Sequence, residues 1–485
     1  MWCFVGALLS AALSVVALSP RGPGWLAWVA LVPLFVAIED TSPGGTIALA
    51  TLYALVLGVG GLAPWLAAAA GPYFKLGAEQ ALAYVLVFLV GIFALHGAFL
   101  GLLLAARPRR AGAWRVLWCA AAWAVWDAAR TAVFPRFPGA ILALSQHAAI
   151  PVLQLASVTG IAGVTVVLVA WNAGLAALLA PGPRRPRLAA AATGAALAGM
   201  AFAWGALRVP AGASAMGPEI VAVDVDATTE AESTLERYLA ASEEAAARRP
   251  ALLVWPESAL TVDLEHDRVA WQRLGAFLEA HGTPLLAGGL AAVRRAGGGS
   301  ARFNAAHLLV PGHGMQSYHK RGLVAFAERW PLFLGRPPEA VESLDAGRDP
   351  TVFRLGTTAF GVLICFEITD GAAARALAAG GARFLVNLTN DAWFATPPHL
   401  PWAAVRAVET GLPVVRAANA GTSAVFDRFG RAVATSRPTG APAVLAARLP
   451  EAAPTLYAQA GDAFLAACVL AVLVGSARAA LFRAA

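Results

Sequence analysis

Over residues 1–206 the chain is built of long uncharged apolar runs separated by short polar breaks, and one more such run lies near the C-terminus. The runs fall at about 3–18, 24–39, 45–68, 80–106, 114–134, 152–180, 187–206 and 462–482. Each approaches the roughly 20 residues that cross the apolar layer of a bilayer, so the pattern predicts eight membrane-spanning helices. The first run is short enough for a secretory leader. It lacks a basic start and passes straight into the second run, so it reads as a span. Pro151 and Gly160 interrupt the sixth and leave its boundary open.

Between the seventh and eighth runs the pattern changes. Short β-rich segments at 219–225, 252–255, 284–289, 303–310, 352–355, 360–366, 383–388, 413–418 and 423–427 are interspersed with helical stretches near 229–248, 266–281, 371–380 and 399–410. Strands and helices alternating through two halves predict a layered α/β sandwich, not an all-β fold. The expected organisation is a bundle of seven spans over 1–206, an Ala/Gly/Pro-rich linker over 207–218, an α/β domain over 219–449, a second linker over 450–461 and a last transmembrane helix over 462–485.

Composition agrees with this division. The 485 residues are 59% hydrophobic and 13% charged, with a mean hydropathy of +0.65, too apolar for an ordinary soluble globule. Arginines orient the bundle. Arg107, Arg109, Arg110 and Arg115 lie between spans four and five, Arg184, Arg185 and Arg187 between six and seven, and Arg478 and Arg483 in the tail. The alternate loops offer only Arg21, Lys75 and Arg136. The arginine-rich side is expected in the cytoplasm, which places both termini there and the α/β domain on the outer face. These arginines largely account for the net charge of +7. Basic patches with interleaved aromatics are missing, so no nucleic-acid partner is expected.

Candidate chemistry centres on one thiol. Cys3, Cys119 and Cys468 fall within predicted spans, while Cys365 ends the apolar run Gly361-Val-Leu-Ile-Cys365-Phe366-Glu367-Ile368. A Gly/Ala-rich turn into a helix follows, a corner where a nucleophile can be presented and helix amides favour negative charge. An ordinary thiol is little ionised at neutral pH and needs a base. Leu253-Val-Trp-Pro-Glu257 ends a strand in a carboxylate, the candidate general base. Lys320, in Tyr318-His-Lys320, suits the negative charge that develops on a carbonyl oxygen during acyl transfer. Glu328 and Glu367 stand where they can tune the lysine or the base. Taken singly, a lone cysteine is packing and a strand-end acid is solvated surface. Only the joint arrangement of Glu257, Lys320 and Cys365 points to nucleophilic catalysis.

The other polar features change the picture less. The eight histidines show no metal-ligand spacing, and no metal or other cofactor is expected. In the fifth span Asp127 and Arg130 are spaced to pair on one helix face, which reads as structural before functional. Leu323, Phe326, Trp330, Leu332 and Phe333 follow the lysine; Trp393, Phe394, Leu400 and Trp402 follow Asn390-Asp391. These clusters are either a lid or membrane contact over an acyl pocket, or cover for the domain core. Phe366, Trp330, Trp393 and Phe394 are the candidate substrate contacts.

These residues resemble the nitrilase superfamily, and within it the apolipoprotein N-acyltransferase family. The similarity runs through Val254-Trp-Pro-Glu257, Tyr318-His-Lys320 with Leu323-Val and Glu328, Ile364-Cys365-Phe366-Glu367, Asn387-Leu-Thr-Asn-Asp391-Ala-Trp-Phe394, Arg406-Ala-Val-Glu409-Thr-Gly and Val415-Arg-Ala-Ala-Asn419-Ala-Gly. In the membrane part, Gly24-Trp-Leu-Ala-Trp-Val-Ala-Leu-Val-Pro33 and Leu153-Gln-Leu-Ala-Ser-Val-Thr-Gly160 also match. The resemblance implies a nitrilase-like α-β-β-α sandwich inserted between helices seven and eight of an eight-helix bundle, with a Glu257–Lys320–Cys365 triad. It implies a bacterial inner-membrane enzyme with a periplasmic catalytic domain. Cys365 would take the sn-1 acyl chain of a phospholipid as a thioester and pass it to the amino group of the diacylglyceryl-cysteine of an apolipoprotein.

The chain departs from the family's pattern in several places. Val223-Asp-Val-Asp226 stands where a Gln-Gly-Asn-type motif is usual, Ala325-Phe-Ala-Glu328-Arg329 replaces Pro-Phe-Gly-Glu-Tyr, Phe366 replaces Tyr, and Ala395 replaces Gly. Two rival readings follow: a membrane-tethered amidase passing the acyl group to water, and a lipid-binding or transport module with a silent nitrilase-like domain.

Overall fold

The computed structural model describes residues 2–484 except 21, 75, 110–111, 133–136, 213–214, 226–230, 296–297, 331–342, 393–398 and 437–441. It forms two compact units, Met1–Pro210 with Ala460–Ala485, and Ala211–Gln459.

In the second unit, alternation of side chains along each strand builds the layers. The first sheet contains β1 (Ala215–Asp224), β2 (Leu252–Trp255), β3 (Leu285–Arg294), β4 (Ser300–Val310) and β5 (Gly314–His319). The second contains β6 (Val352–Leu355), β7 (Thr358–Ile364), β8 (Phe384–Asn390), β9 (Val414–Asn419), β10 (Ser423–Phe426) and β11 (Ala432–Ser436). The final strand, β12 (Ala443–Pro450), returns to the first sheet beside β1, giving the orders β12-β1-β2-β3-β4-β5 and β11-β10-β9-β8-β7-β6. Pairing is parallel for β1-β2-β3 and for β7-β8-β9, and antiparallel elsewhere.

Leu252 and Val254 on β2 point to the core between the sheets, where Phe360, Val362, Ile364, Val386 and Leu388 meet them. Leu253 and Trp255, one step out of phase, join Tyr238, Leu274 and Phe277 of the helices Ala231–Ala247 and Arg268–His281. On the opposite side, Gly371–Ala379 and Leu400–Thr410 cover the second sheet. Gly361 permits that contact, since a Cβ there would lie 2.7 Å from the Cβ of Leu377. The order of layers is helix, sheet, sheet, helix, as the nitrilase resemblance implies. Three strands escape the sequence pattern. β5 and β11 are half-exposed edges with polar residues, and β12 was hidden by its Ala-rich composition. β1 begins at Ala215, inside the stretch expected to be linker.

The first unit is helical. Pro43–Gly71, Ala78–Ala105, Ile161–Leu179 and Arg184–Arg208 are long and apolar enough to cross a membrane; Trp2–Leu18 and Ala463–Ala477 are shorter apolar helices. Ala113–Ala132 contains the Asp127–Arg130 pair, in which Arg130 Nη2 donates to Asp127 Oδ1 at 2.7 Å. Arg130 is fully buried and also donates to Gly139 O at 2.9 Å, so it ties its helix to the chain beyond 136.

The run 24–39 differs from the single span expected of it. A 3₁₀ turn, Gly24–Trp28, is followed by a separate helix, Val32–Ala37, whose six residues extend only about 9 Å. Distant side chains take up the backbone groups freed by this break. Asn172 Oδ1 accepts from Leu31 N and its Nδ2 donates to Ala27 O, both at 2.9 Å. Gln146 Nε2 donates to Gly24 O at 2.7 Å and Oε1 accepts from Trp28 Nε1 at 2.9 Å. In an apolar medium such partners are what makes a broken helix tolerable. The sixth run is also divided, into Ile150–Leu153, Ala156–Thr159 and Ile161–Leu179, with Gly160 at φ 65° supplying the left-handed turn.

Replacing Asn172 with Leu keeps the volume but orphans Leu31 N–H and Ala27 C=O. The bundle should lose about 1–3 kcal/mol. A thermal melt of the intact chain in detergent reads this, and an unchanged midpoint would show that water or lipid replaces the amide.

Candidate active site

The three predicted residues leave three strand ends. Glu257 follows β2 and Pro256, Lys320 directly follows β5, and Cys365 directly follows β7. The packed sheets bring their ends together from both sides of the core. All three side chains are buried, with Lys320 1% exposed and Cys365 9%.

Lys320 Nζ donates to Glu257 Oε1 at 3.2 Å and to Glu328 Oε1 at 2.8 Å. Asn304 Nδ2, from the middle of β4, bridges the same two carboxylates at 2.7 and 2.9 Å. Glu257 Oε2 accepts from the backbone N–H of Asn390 at 2.9 Å, and Glu328 Oε2 from that of Val324 at 2.8 Å. The base candidate is therefore held by both sheets. Gly288 makes room for it: a Cβ there would come within 2.6 Å of Glu257 Cα.

Charge balance sets the protonation states. Burial alone would push the Lys320 ammonium toward neutrality, but the Glu257 and Glu328 carboxylates outweigh it and hold its pKa well above the ordinary value. Burial also opposes ionised Glu328, yet Lys320 brings its pKa below the usual carboxylate value. Cys365 moves the other way. Burial raises its pKa, and the Glu257 charge raises it further, while Lys320 offsets only part. The helix-end stabilisation expected for this thiol is thus outweighed, because only a five-residue 3₁₀ turn, Cys365–Thr369, follows it. Cys365 is thus a thiol of raised pKa in the field of a lysine flanked by two acids. Cys365 itself sits at φ 51°, the left-handed region that a non-glycine residue adopts at a cost of about 1–2 kcal/mol.

Glu367, a candidate for tuning the lysine or the base, is electrostatically coupled to Lys320 and also has a structural part. Its hydrogen bonds go to Tyr318 Oη, Arg321 N and Gly322 N through Oε1 and to Ile364 N through Oε2, at 2.8–2.9 Å. The carboxylate clamps the segment after Lys320 to the strand end before Cys365. Phe366 is half-buried, with its ring edge-on to His399 at 6.2 Å. Trp330 and Phe326 are half-buried and make an edge-to-face pair at 5.8 Å. Trp402, expected in an apolar loop cluster, is 3% exposed and belongs to the core. Leu332, Phe333, Trp393, Phe394, Ala395 and Asp226 lie outside the described residues.

Sequence reasoning missed Asn304, which no motif marks, and the clamping part of Tyr318. It quoted Asn387, Asp391 and Arg416 only as resemblance. Arg416 is fully buried and donates to Asp391 Oδ2 at 2.6 Å and Asn387 Oδ1 at 2.8 Å. Asn387 Nδ2 in turn lies 3.4 Å from Cys365 O. A buried arginine in a β-strand was the available signal.

The carbon-nitrogen hydrolase family matches residues 213–457, and the apolipoprotein N-acyltransferase N-terminal domain matches residues 10–174. The apolipoprotein N-acyltransferase of Geobacter metallireducens is 28% identical across 98% of this chain and 95% of its own. That of Bradyrhizobium diazoefficiens is 32% identical across 75% of this chain and 73% of its own. Among solved structures, an amidase from Nesterenkonia sp. aligns with 52% of this chain and 97% of its own at 20% identity and a TM-score of 0.41. With a carbon-nitrogen hydrolase domain, an N-terminal apolar helical region and full-length relatives of one kind, this chain belongs to the apolipoprotein N-acyltransferase family, an acyltransferase branch of the carbon-nitrogen hydrolases.

Proposed function

We propose that this protein moves the sn-1 acyl chain of a phospholipid to the N-terminal diacylglyceryl-cysteine of apolipoproteins through a thioester on Cys365. The observation that carries the reading is the buried Glu257–Lys320–Glu328 cluster gathered at the strand ends that also present Cys365, on a chain that also holds membrane-length helices.

Glu257 takes the proton from Cys365 as sulfur attacks the ester carbonyl. The charge that develops on the carbonyl oxygen is balanced by the Lys320 ammonium, which Glu328 keeps in place and protonated. The C–O bond breaks, Glu257 returns its proton to the departing lysophospholipid oxygen, and the acyl group stays on sulfur. In the second half the acceptor amine attacks the thioester and loses a proton to Glu257. The C–S bond breaks, and sulfur recovers that proton as the amide leaves. Charge is conserved in each half, and no cofactor is needed. Phe366, Trp330, Trp393 and Phe394 are assigned to contact the acyl chain.

The proposed setting is a bacterial inner membrane crossed eight times, with the catalytic domain periplasmic and both termini cytoplasmic. The arginine bias supports this orientation, and the matched N-terminal domain supports a membrane-embedded enzyme. The break at 24–39 is accommodated if that segment enters the bundle as two short pieces packed on other helices.

Four outcomes test these assignments. A radiolabelled phospholipid should leave a hydroxylamine-labile acyl group on the parent protein and none on Cys365→Ala; label retained by the variant would refute the thioester. Glu257→Gln should slow acylation about 10²–10⁴-fold, read as single-turnover label transfer. Glu328→Gln leaves a buried ammonium with one anion fewer, a loss of about 3–5 kcal/mol in stability. Its thermal midpoint should fall well below that of a surface control such as Glu236→Gln. For topology, a phosphatase fused after residue 210 should be active and a fluorescent protein at the C-terminus should glow; the reverse pattern would invert the orientation.

A further inference from the structure

Within the helical unit, a cavity of about 350 Å³ opens where several helices end. That volume falls within the roughly 300–1,000 Å³ of small-ligand sites. Its walls are the segment after Val32–Ala37, the first turn of Pro43–Phe74, the chain leaving Ala78–Ala105 and the first turn of Ala113–Ala132. Orienting the bundle accounts for arginines on this face of the unit. It does not account for Arg107, Arg109 and Arg115 lining one space.

Three arginines meet two acids there, Glu39 and Asp40, and the charges are unevenly matched. Glu39 is taken by Arg115, which donates to one carboxylate oxygen through Nη1 at 2.8 Å and to the other through Nη2. Arg107 is held by uncharged oxygens. Its Nη1 donates to Leu104 O at 2.9 Å and Thr46 Oγ1 at 3.2 Å, and its Nη2 to Ile38 O and Glu39 O. These bonds fix the guanidinium without giving it a counter-ion. Burial, and after it the Arg115 charge, lowers the Arg107 pKa from its ordinary value, and Glu39 and Asp40 return only part of that. A guanidinium does not deprotonate in a protein, so only an anion relieves the strain. Arg109 is exposed at the rim and has no hydrogen-bond or ion-pair partner among the described residues, which leaves its N–H fork open. The start of the helix Pro43–Phe74 adds the partial positive charge of a helix N-terminus. Leu102 and Trp114, both exposed, sit on the flanking helices and put apolar surface close to these charges.

We propose that this cavity is a phosphate-group site, in which the headgroup of an anionic phospholipid or a free phosphate lies beside Arg107 and is gripped by the Arg109 guanidinium. Basic pockets between membrane helices suit such headgroups, and an arginine fork matches the oxygens of a phosphate. The bound anion supplies the counter-charge that Arg107 lacks and joins the helix ends around it. The site lies in the helical unit, and nothing in it depends on the acyl-transfer reading.

The intact Cys365→Ala chain in dodecyl maltoside is used for the test, so that no probe is consumed. Dissociation constants come from thermal-shift titrations with dihexanoyl-phosphatidylglycerol, dihexanoyl-phosphatidylcholine and inorganic phosphate. Phosphatidylglycerol should bind more tightly than phosphatidylcholine. Arg109→Glu should weaken it about tenfold. Asp40→Asn removes an anion from the rim and should tighten it about two- to fivefold. Both side chains are exposed, and melts without probe check that each variant folds. If inorganic phosphate shows the same pair of opposite responses, the free ion is a ligand of the site; if only phosphatidylglycerol shows them, the ligand is the lipid headgroup. Phosphatidylglycerol bound elsewhere, as in the α/β unit, would keep one constant in parent and variants. Constants unchanged by both substitutions for all three probes overturn the proposal, as does a shift of the two variants in the same direction.

Discussion

A single ammonium group, Lys320, organises the centre of the α/β unit. It is removed from water and lies between two carboxylates that reach it from different loops. Burying a charge is costly unless partners and hydrogen bonds replace the lost solvent. Here Asn304 joins the two acids, and backbone amides of Asn390 and Val324 occupy the oxygens the lysine does not reach. Each partner is fixed by a different segment of the sandwich. The electrostatic balance therefore exists only when β2, β4, β5 and β8 are in register, and chemistry and fold depend on the same contacts.

Burial, and after it the Glu257 charge, raises the pKa of the Cys365 thiol. Two acids and one lysine already leave the cluster with an excess negative charge, and ionising Cys365 without removing a proton from the site would add another. In the proposed reaction, proton transfer to Glu257 avoids this, because it neutralises one anion while creating another. Glu367 serves a different need. It receives four hydrogen bonds from the segments that carry Lys320 and Cys365, and so ties them together.

The sandwich was legible because its parallel strands are buried on both faces. Leu253-Val-Trp255 and Gly361-Val-Leu-Ile364 read as continuous apolar runs, and each ends abruptly at a polar residue the site uses. Edge strands carry a weaker signal. Gly314-Met-Gln-Ser-Tyr-His319 has one polar face and no branched aliphatic residue, so it was visible only as the stretch before Lys320. In the bundle, hydropathy located apolar runs but not their breaks. The run at 24–39 is apolar enough for a span, and what divides it is the placing of Asn172 and Gln146 more than a hundred residues away. Asn304 was illegible for a related reason: its importance lies in two carboxylates that reach it from elsewhere in the chain.

Keeping Cys365 buried and protonated has a further consequence for the protein's lifetime. Thiolates, not thiols, are the species that attack peroxides and disulfides, and the other described cysteines lie in the helical unit, outside the α/β unit that contains Cys365. A sulfur whose pKa is raised by burial, and that is 9% exposed, is a poor target for oxidants. The burial that raises the thiol's pKa thus also shields it, so endurance against oxidants is built into its place in the fold.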